Sequence, residues 1–179
     1  ELISFLEEMI RQNRLKSGLL KLMVTRGEIT GTPWNYIGTP NLYITIRPFT
    51  KVPKVPVKVL FYSEEKYPII RFNPAIKSMN YIGNMKAKKD AEFLGAYEPI
   101  FYNDDGLITE CAIRNVFYIK DGVLLTPSLD LGVLPGVMRS AIINIAIGMG
   151  IKVDEAYIPF DTINDMDEAF ISSTGIGLL

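Results

Sequence analysis

The chain has 179 residues, 48% hydrophobic and 22% charged, with a formal net charge of −1. That is enough to bury a sizeable core, while the charge gives no general field for nucleic acid or an acidic membrane, and no apolar run approaches the roughly 18 residues of a membrane span. With no histidine and one cysteine, Cys111, the chain excludes a zinc site of the usual nitrogen and sulfur type, histidine-activated nucleophiles and an internal disulfide framework.

In an enzyme, proton transfer would therefore fall to Lys, Tyr or carboxylates, with or without the help of a cofactor. The opening ELISFLEEMI carries acids where an export signal needs bases. The expectation is a cytoplasmic protein that binds no metal, no nucleic acid and no membrane.

Apolar residues at helical spacing predict an amphipathic helix over 2–14. Strands follow at 19–25 and 42–50, with a turn at 26–31. In KVPKVPVK, 51–58, prolines at 53 and 56 cannot donate to a ladder and favour extended chain. The segment reads as an interdomain linker between a small domain at 1–50 and a large one at 59–179; an edge strand with prolines on its open side is the other reading. Strand 57–62 leads through a polar loop to a helix near 80–94, with Ala87, Ala91 and Leu94 on one face. Strands at 98–102 and 107–109 flank a turn. Asp121-Gly122 supplies the positive φ of a tight hairpin between 116–120 and 123–126. A helix spans about 135–149, with Pro135 in its first turn and Gly150 as its stop. A strand at 151–158, a short acidic helix near 161–167 and a strand at 168–172 complete a mixed α/β pattern.

Four places carry candidate chemistry. Lys77, between Ile76 and Met79 ahead of a helix, is a lysine in an apolar setting. Such an amine tends to lose its charge, and a neutral amine attacks a carbonyl to make a Schiff base. Glu110, in ITECA, is a carboxylate that needs a cationic partner if buried; a protonated pyridine nitrogen is one. LPGVMR at 134–139 opens a helix whose free N–H groups suit a phosphate. SSTGIG at 172–177 is a loop rich in hydroxyls and glycine that lets backbone approach an anion. Taken singly, these are also a surface lysine, a strand-end acid, a helix start and a loop.

Their order says more. The runs IKSMNYIGNMKAKKDA, TECAIRNVF, LLTPSLDLGVLPGVMR and DEAFISSTGIGLL resemble the class IV aminotransferases across 69–179, and VTRG at 24–27 resembles the strand end before that family's linker. The resemblance implies a two-domain enzyme of fold type IV, a homodimer that uses pyridoxal 5′-phosphate. Lys77 would bind the cofactor and carry the proton between the substrate α-carbon and the cofactor C4′ carbon. Tyr81 would hydrogen-bond the ring hydroxylate and Glu110 the pyridine nitrogen. The N–H groups of Val137 and Met138, with the Thr174 hydroxyl, would hold the phosphate. Gly175 and Ile176 would line the substrate carboxylate, and Arg139 would tie down the turn before its helix.

The family's chain starts with further strands and a helix bearing a phosphate-clamping arginine, and continues past GIGLL. The sequence thus reads as lacking an N-terminal segment and its C-terminal end. The D-amino-acid branch has a second arginine where Gly31 stands, which argues against that branch. The expected reaction is transamination between a branched-chain-type L-amino acid and a 2-oxo acid. Cys111 and Met138-Arg139 lean instead toward a 4-amino-4-deoxychorismate lyase releasing pyruvate and 4-aminobenzoate. A non-catalytic fragment or relative is the third reading.

Overall fold

The computed structural model describes residues 2–28, 30–32, 34, 38–49, 51–54 and 56–179. Ile29, Thr50 and Val55, which belong to the expected turn, second strand and linker, lie outside the described residues. The chain divides into two compact units, residues 1–51 and 52–179.

In the first unit, helix α1 (Leu2–Asn13) precedes strands β1 (Gly18–Thr25) and β2 (Asn41–Pro48). The strands form an antiparallel ladder from Gly18↔Pro48 to Thr25↔Asn41. No residue of α1 is buried within the chain.

The second unit contains β3 (Val59–Ser63), α2 (Ile82–Phe93), β4 (Glu98–Tyr102), β5 (Ile108–Cys111), β6 (Asn115–Lys120), β7 (Val123–Pro127), α3 (Val137–Gly148), β8 (Val153–Ala156), β9 (Glu168–Ser173) and β10 (Gly177–Leu178). They make a three-stranded sheet, β3-β4-β5, and a five-stranded sheet, β10-β9-β6-β7-β8. The strand pairs β3/β4 and β7/β8 are parallel and the rest antiparallel.

Strand alternation explains how the layers stack, because successive side chains point to opposite faces. On β4, Phe101 joins Ala87 and Ala91 of α2, while Ile100 joins Val116 and Tyr118 of β6. On β6, the intervening Phe117 faces Ile142 and Ala146 of α3 and stacks on Phe170 at 4.9 Å. The order is therefore α2, three-stranded sheet, five-stranded sheet, α3, with both central strands buried on two faces.

The punctuation follows backbone chemistry. Asp121 and Gly122 have φ of 50° and 73° and close the expected hairpin. Gly95 and Gly150, at φ 73° and 77°, end α2 and α3. In each, the next two N–H groups turn back to the last helical carbonyls, as in Gly150 N–H to Ile147 and Ile151 N–H to Ala146.

Five expectations change. Leu94 is 56% exposed, because the helix stops at Phe93 and the chain turns through Gly95. Pro135 lies ahead of α3, whose cap is Gly136. The strand expected at 151–158 forms only over Val153–Ala156, and the acidic segment is a 3-10 turn at Phe160–Asp165. The loop after β9 returns at once as β10, pairing Gly177 with Ser173.

Candidate functional site

Glu110 stands on β5 at the centre of a charged cluster. Its carboxylate accepts a hydrogen bond from Arg71 Nη1 and, at 3.3 Å, one from the Leu134 N–H. Arg71 also donates to Glu64 at 2.5 Å and to Thr109 Oγ1 at 3.0 Å, and the Thr109 hydroxyl reaches Glu64 at 2.6 Å. All three charged side chains are largely covered. Burial pushes the Glu110 carboxyl above its usual range; Arg71 and the Leu134 N–H oppose this, and Glu64 adds to it. Burial also works against the Arg71 charge, but the two carboxylates outweigh it and hold the guanidinium protonated.

The cluster therefore contains two acids for one base. One negative charge has no cation among the described residues, and each Glu110 oxygen accepts from one donor and keeps a second lone pair for another. A protonated pyridine nitrogen fits that vacancy in charge.

The neighbouring backbone suits a phosphate. Helix α3 begins at Gly136 with no side-chain cap, so its first N–H groups are not taken by a capping side chain. A Cβ at Gly136 would lie 2.2 Å from Asn115 Oδ1, so only glycine lets this turn approach β6. Asn115 pairs in register with Ser172 on β9, and directly paired residues share a face of the sheet. The Ser172 hydroxyl there is buried without a hydrogen-bond partner among the described residues. A surplus negative charge, an uncapped helix start and an unsatisfied hydroxyl together fit a ring nitrogen at one end and a phosphate at the other.

Several packing contacts bring the four sequence blocks to this place. The loop carrying Lys77 is held by the Arg71–Glu110 pair, and a Cβ at Gly132 would meet Arg71 Cβ at 3.1 Å. A Cβ at Gly83 would meet the Pro68 carbonyl at 2.5 Å, so α2 lies tight against the start of that loop. Asn84 Nδ2 on α2 donates to the Ala112 carbonyl at 3.0 Å, just past Glu110.

Lys77 itself is exposed. The expected apolar setting is absent in this chain, because Ile76 and Met79 face the surface at 60% and 57% exposure. Tight turns cause this: Ser78 N–H binds the Ile76 carbonyl and Tyr81 N–H the Met79 carbonyl, at 2.8 and 2.9 Å. Tyr81 is half-buried at the cap of α2, and its hydroxyl has no hydrogen bond among the described residues. Val137 and Thr174 are exposed, and Met138 and Gly175 half-buried. Ile176 packs on the core between the sheets. Arg139 is buried and ties α3 to the Pro127 carbonyl at 3.0 Å and to Glu155 at 2.6 Å. It therefore anchors the helix to the ends of β7 and β8, and not to the turn before it. Burial raises the Cys111 thiol well above its usual range, so it is no nucleophile.

Arg71, Glu64 and Asn115 were not singled out by the sequence. The only signal for Arg71 was the unmet need of Glu110 for a cation.

A family model for amino-transferase class IV matches residues 1–179. A provisionally named branched-chain-amino-acid aminotransferase of Methanocaldococcus jannaschii is 31% identical over 176 residues, covering 97% of this chain and 61% of the relative. The D-alanine aminotransferase of Listeria monocytogenes is 34% identical over 183 residues, covering 98% and 62%. The crystal structure of a provisionally named 4-amino-4-deoxychorismate lyase of Legionella pneumophila shares the fold, with TM-score 0.86 at 24% identity over 98% of this chain and 65% of that one. The chain thus spans less than two thirds of the length of these relatives.

Proposed function

Because the chain belongs to the class IV aminotransferases, pyridoxal 5′-phosphate enzymes of fold type IV, we propose that its protein transfers an amino group between a branched-chain-type L-amino acid and a 2-oxo acid. The observation that carries this reading is the Glu110 cluster, one positive charge short, beside the uncapped start of α3. When bound, the cofactor supplies an electron sink for the charge left at the substrate α-carbon. Glu110 holds the ring nitrogen in its protonated form and Tyr81 holds the ring hydroxylate. The Val137 and Met138 N–H groups and the Thr174 hydroxyl hold the phosphate. Gly175 and Ile176 border the substrate carboxylate. Lys77 attaches the cofactor, then accepts the α-proton and returns it one carbon away, at C4′.

That economy favours transamination over lysis. A lyase must also protonate a leaving group on the far side of the substrate, whereas transamination needs one base that works twice. No histidine is present in these 179 residues for the extra task. Gly31 in place of a second arginine favours the L-amino-acid branch, and the similarity to a D-alanine aminotransferase makes D-alanine the donor to beat.

The test is a half-reaction. Full-length protein loaded with cofactor is mixed with L-leucine, L-isoleucine, L-valine or D-alanine and no acceptor. Transamination shifts the long-wavelength cofactor band to the shorter wavelength of the amine form. Conversion by D-alanine alone overturns the donor assignment. No conversion by any amino acid, with pyruvate released from aminodeoxychorismate, overturns the reaction in favour of the lyase. Failure to take up cofactor at all would leave only the non-catalytic reading.

We also propose that the working form is a homodimer. At the end of α3, Ile145 and the cap residue Met149, four residues apart and so on one face, are 62% and 71% exposed, apolar surface that a second subunit would cover. Sedimentation of the full-length protein at micromolar concentration should give a dimer; a clean monomer rejects the proposal.

A further inference from the structure

We infer that Asn115 is a positioning residue that sets the phosphate-binding backbone at the start of α3, an inference that rests on the cofactor reading above. The Asn115 side chain is 6% exposed, and its Nδ2 donates to the Leu134 carbonyl at 2.9 Å. That carbonyl also accepts from the Gly136 N–H at 2.8 Å, which closes the turn into the helix. The Oδ1 of the same side chain fills the space beside Gly136. One carboxamide therefore grips the turn at both ends, with a donor at 134 and a steric wall at 136.

The grip determines where the first helical N–H groups point. Gly136 supplies the carbonyl for the first α3 hydrogen bond, from Ser140 N–H at 2.9 Å, so its orientation is that of the helix start. No side chain caps α3; Asn115 holds the Leu134 carbonyl and packs on Gly136, and the Glu110 carboxylate holds the Leu134 N–H. Leu134 extends the effect. Its N–H holds Glu110 while its carbonyl is held by Asn115. A single residue thus spaces the acid that meets the ring nitrogen from the helix start that meets the phosphate. Asn115 needs to touch neither the cofactor nor the substrate to act in this way.

The experiment compares pyridoxal 5′-phosphate with pyridoxal, which lacks the phosphate, on apo full-length protein. Dissociation constants are read by absorbance, and the bound phosphate by its phosphorus-31 shift. In Asn115→Ala, affinity for the phosphate form should fall about tenfold, the worth of one backbone-holding hydrogen bond, while pyridoxal changes by less than about twofold on the same scale. The phosphorus-31 signal should move. Gly136→Ala, whose Cβ meets the Asn115 Oδ1, should give the same split in the wild-type background and a smaller one once Asn115 is alanine. This second variant decides the matter if Asn115→Ala does not fold. Equal weakening of both cofactors would mean that Asn115 is only structural, and an unchanged ratio would remove it from the phosphate end. Either result overturns the inference and leaves the proposed function intact. A wild-type protein that binds neither cofactor removes both.

Discussion

Replacing Lys77 with alanine in the full-length protein should lower turnover by at least about 10³, because the side chain is assigned two tasks that no neighbour can assume. A positioned acid–base group contributes about 10²–10⁴ in rate, and covalent attachment adds to it. Arginine should not rescue, since a guanidinium stays protonated at any working pH and cannot act as the base. The surroundings set this lysine apart from Lys86 and Lys88. Lys86 pairs with Asp90 at 3.1 Å, and Lys88 with Glu92 at 3.0 Å and Glu98 at 3.4 Å. Lys77 has no ion pair among the described residues, and its loop is anchored at Arg71 and at the start of α2. Borohydride reduction followed by peptide mapping should place the cofactor adduct on Lys77, and Lys86→Ala should keep the wild-type rate. An adduct on Lys86, Lys88 or Lys89, or a Lys77→Ala rate within tenfold of wild type, would end the assignment.

What the sequence disclosed and what it hid separate along a physical line. Local backbone chemistry was readable: Asp121-Gly122 makes a hairpin and Gly150 stops α3 because positive φ favours these residues there. The apolar run at 116–119 leading into Asp121-Gly122 read as a strand, and the order of four blocks pointed to the family. Pairings across long separations were hidden. Glu98 reads as an ordinary strand start, yet it is fully buried, because Lys88 and Arg114 come from an adjoining helix and a turn beyond the next strand. Arg71 sits 39 residues from Glu110, and no periodicity links them. Exposure failed for the same reason. Ile76 and Met79 look like cover for Lys77, but which way a loop side chain points depends on turns and on layers packed from elsewhere in the chain.

Arg114→Ala should destabilise the protein by about 3–5 kcal/mol at neutral pH, the cost of stranding a buried charge. The Glu98 carboxylate is 0% exposed and is held by Arg114 Nη1, by Lys88 at 3.4 Å and by the Ile113 N–H at 3.3 Å. Arg114 also lies over the Tyr97 ring at 4.9 Å, so truncation loses packing as well. Burial raises the Glu98 carboxyl above its usual value of 4.5, and Arg114 is the largest opposing influence. Removing that opposition raises the carboxyl further. The folded variant then binds this proton more tightly than the unfolded chain does. Its penalty is therefore full above the raised folded value and relieved as pH falls toward the unfolded one. Urea unfolding of wild type and variant should show the largest gap at neutral to mildly alkaline pH, narrowing toward pH ~5. Adding Glu98→Gln to Arg114→Ala removes the stranded charge and should recover part of the loss. A gap below about 1 kcal/mol, or one that widens as the solution is acidified, would show that this pair contributes no more than a surface salt bridge.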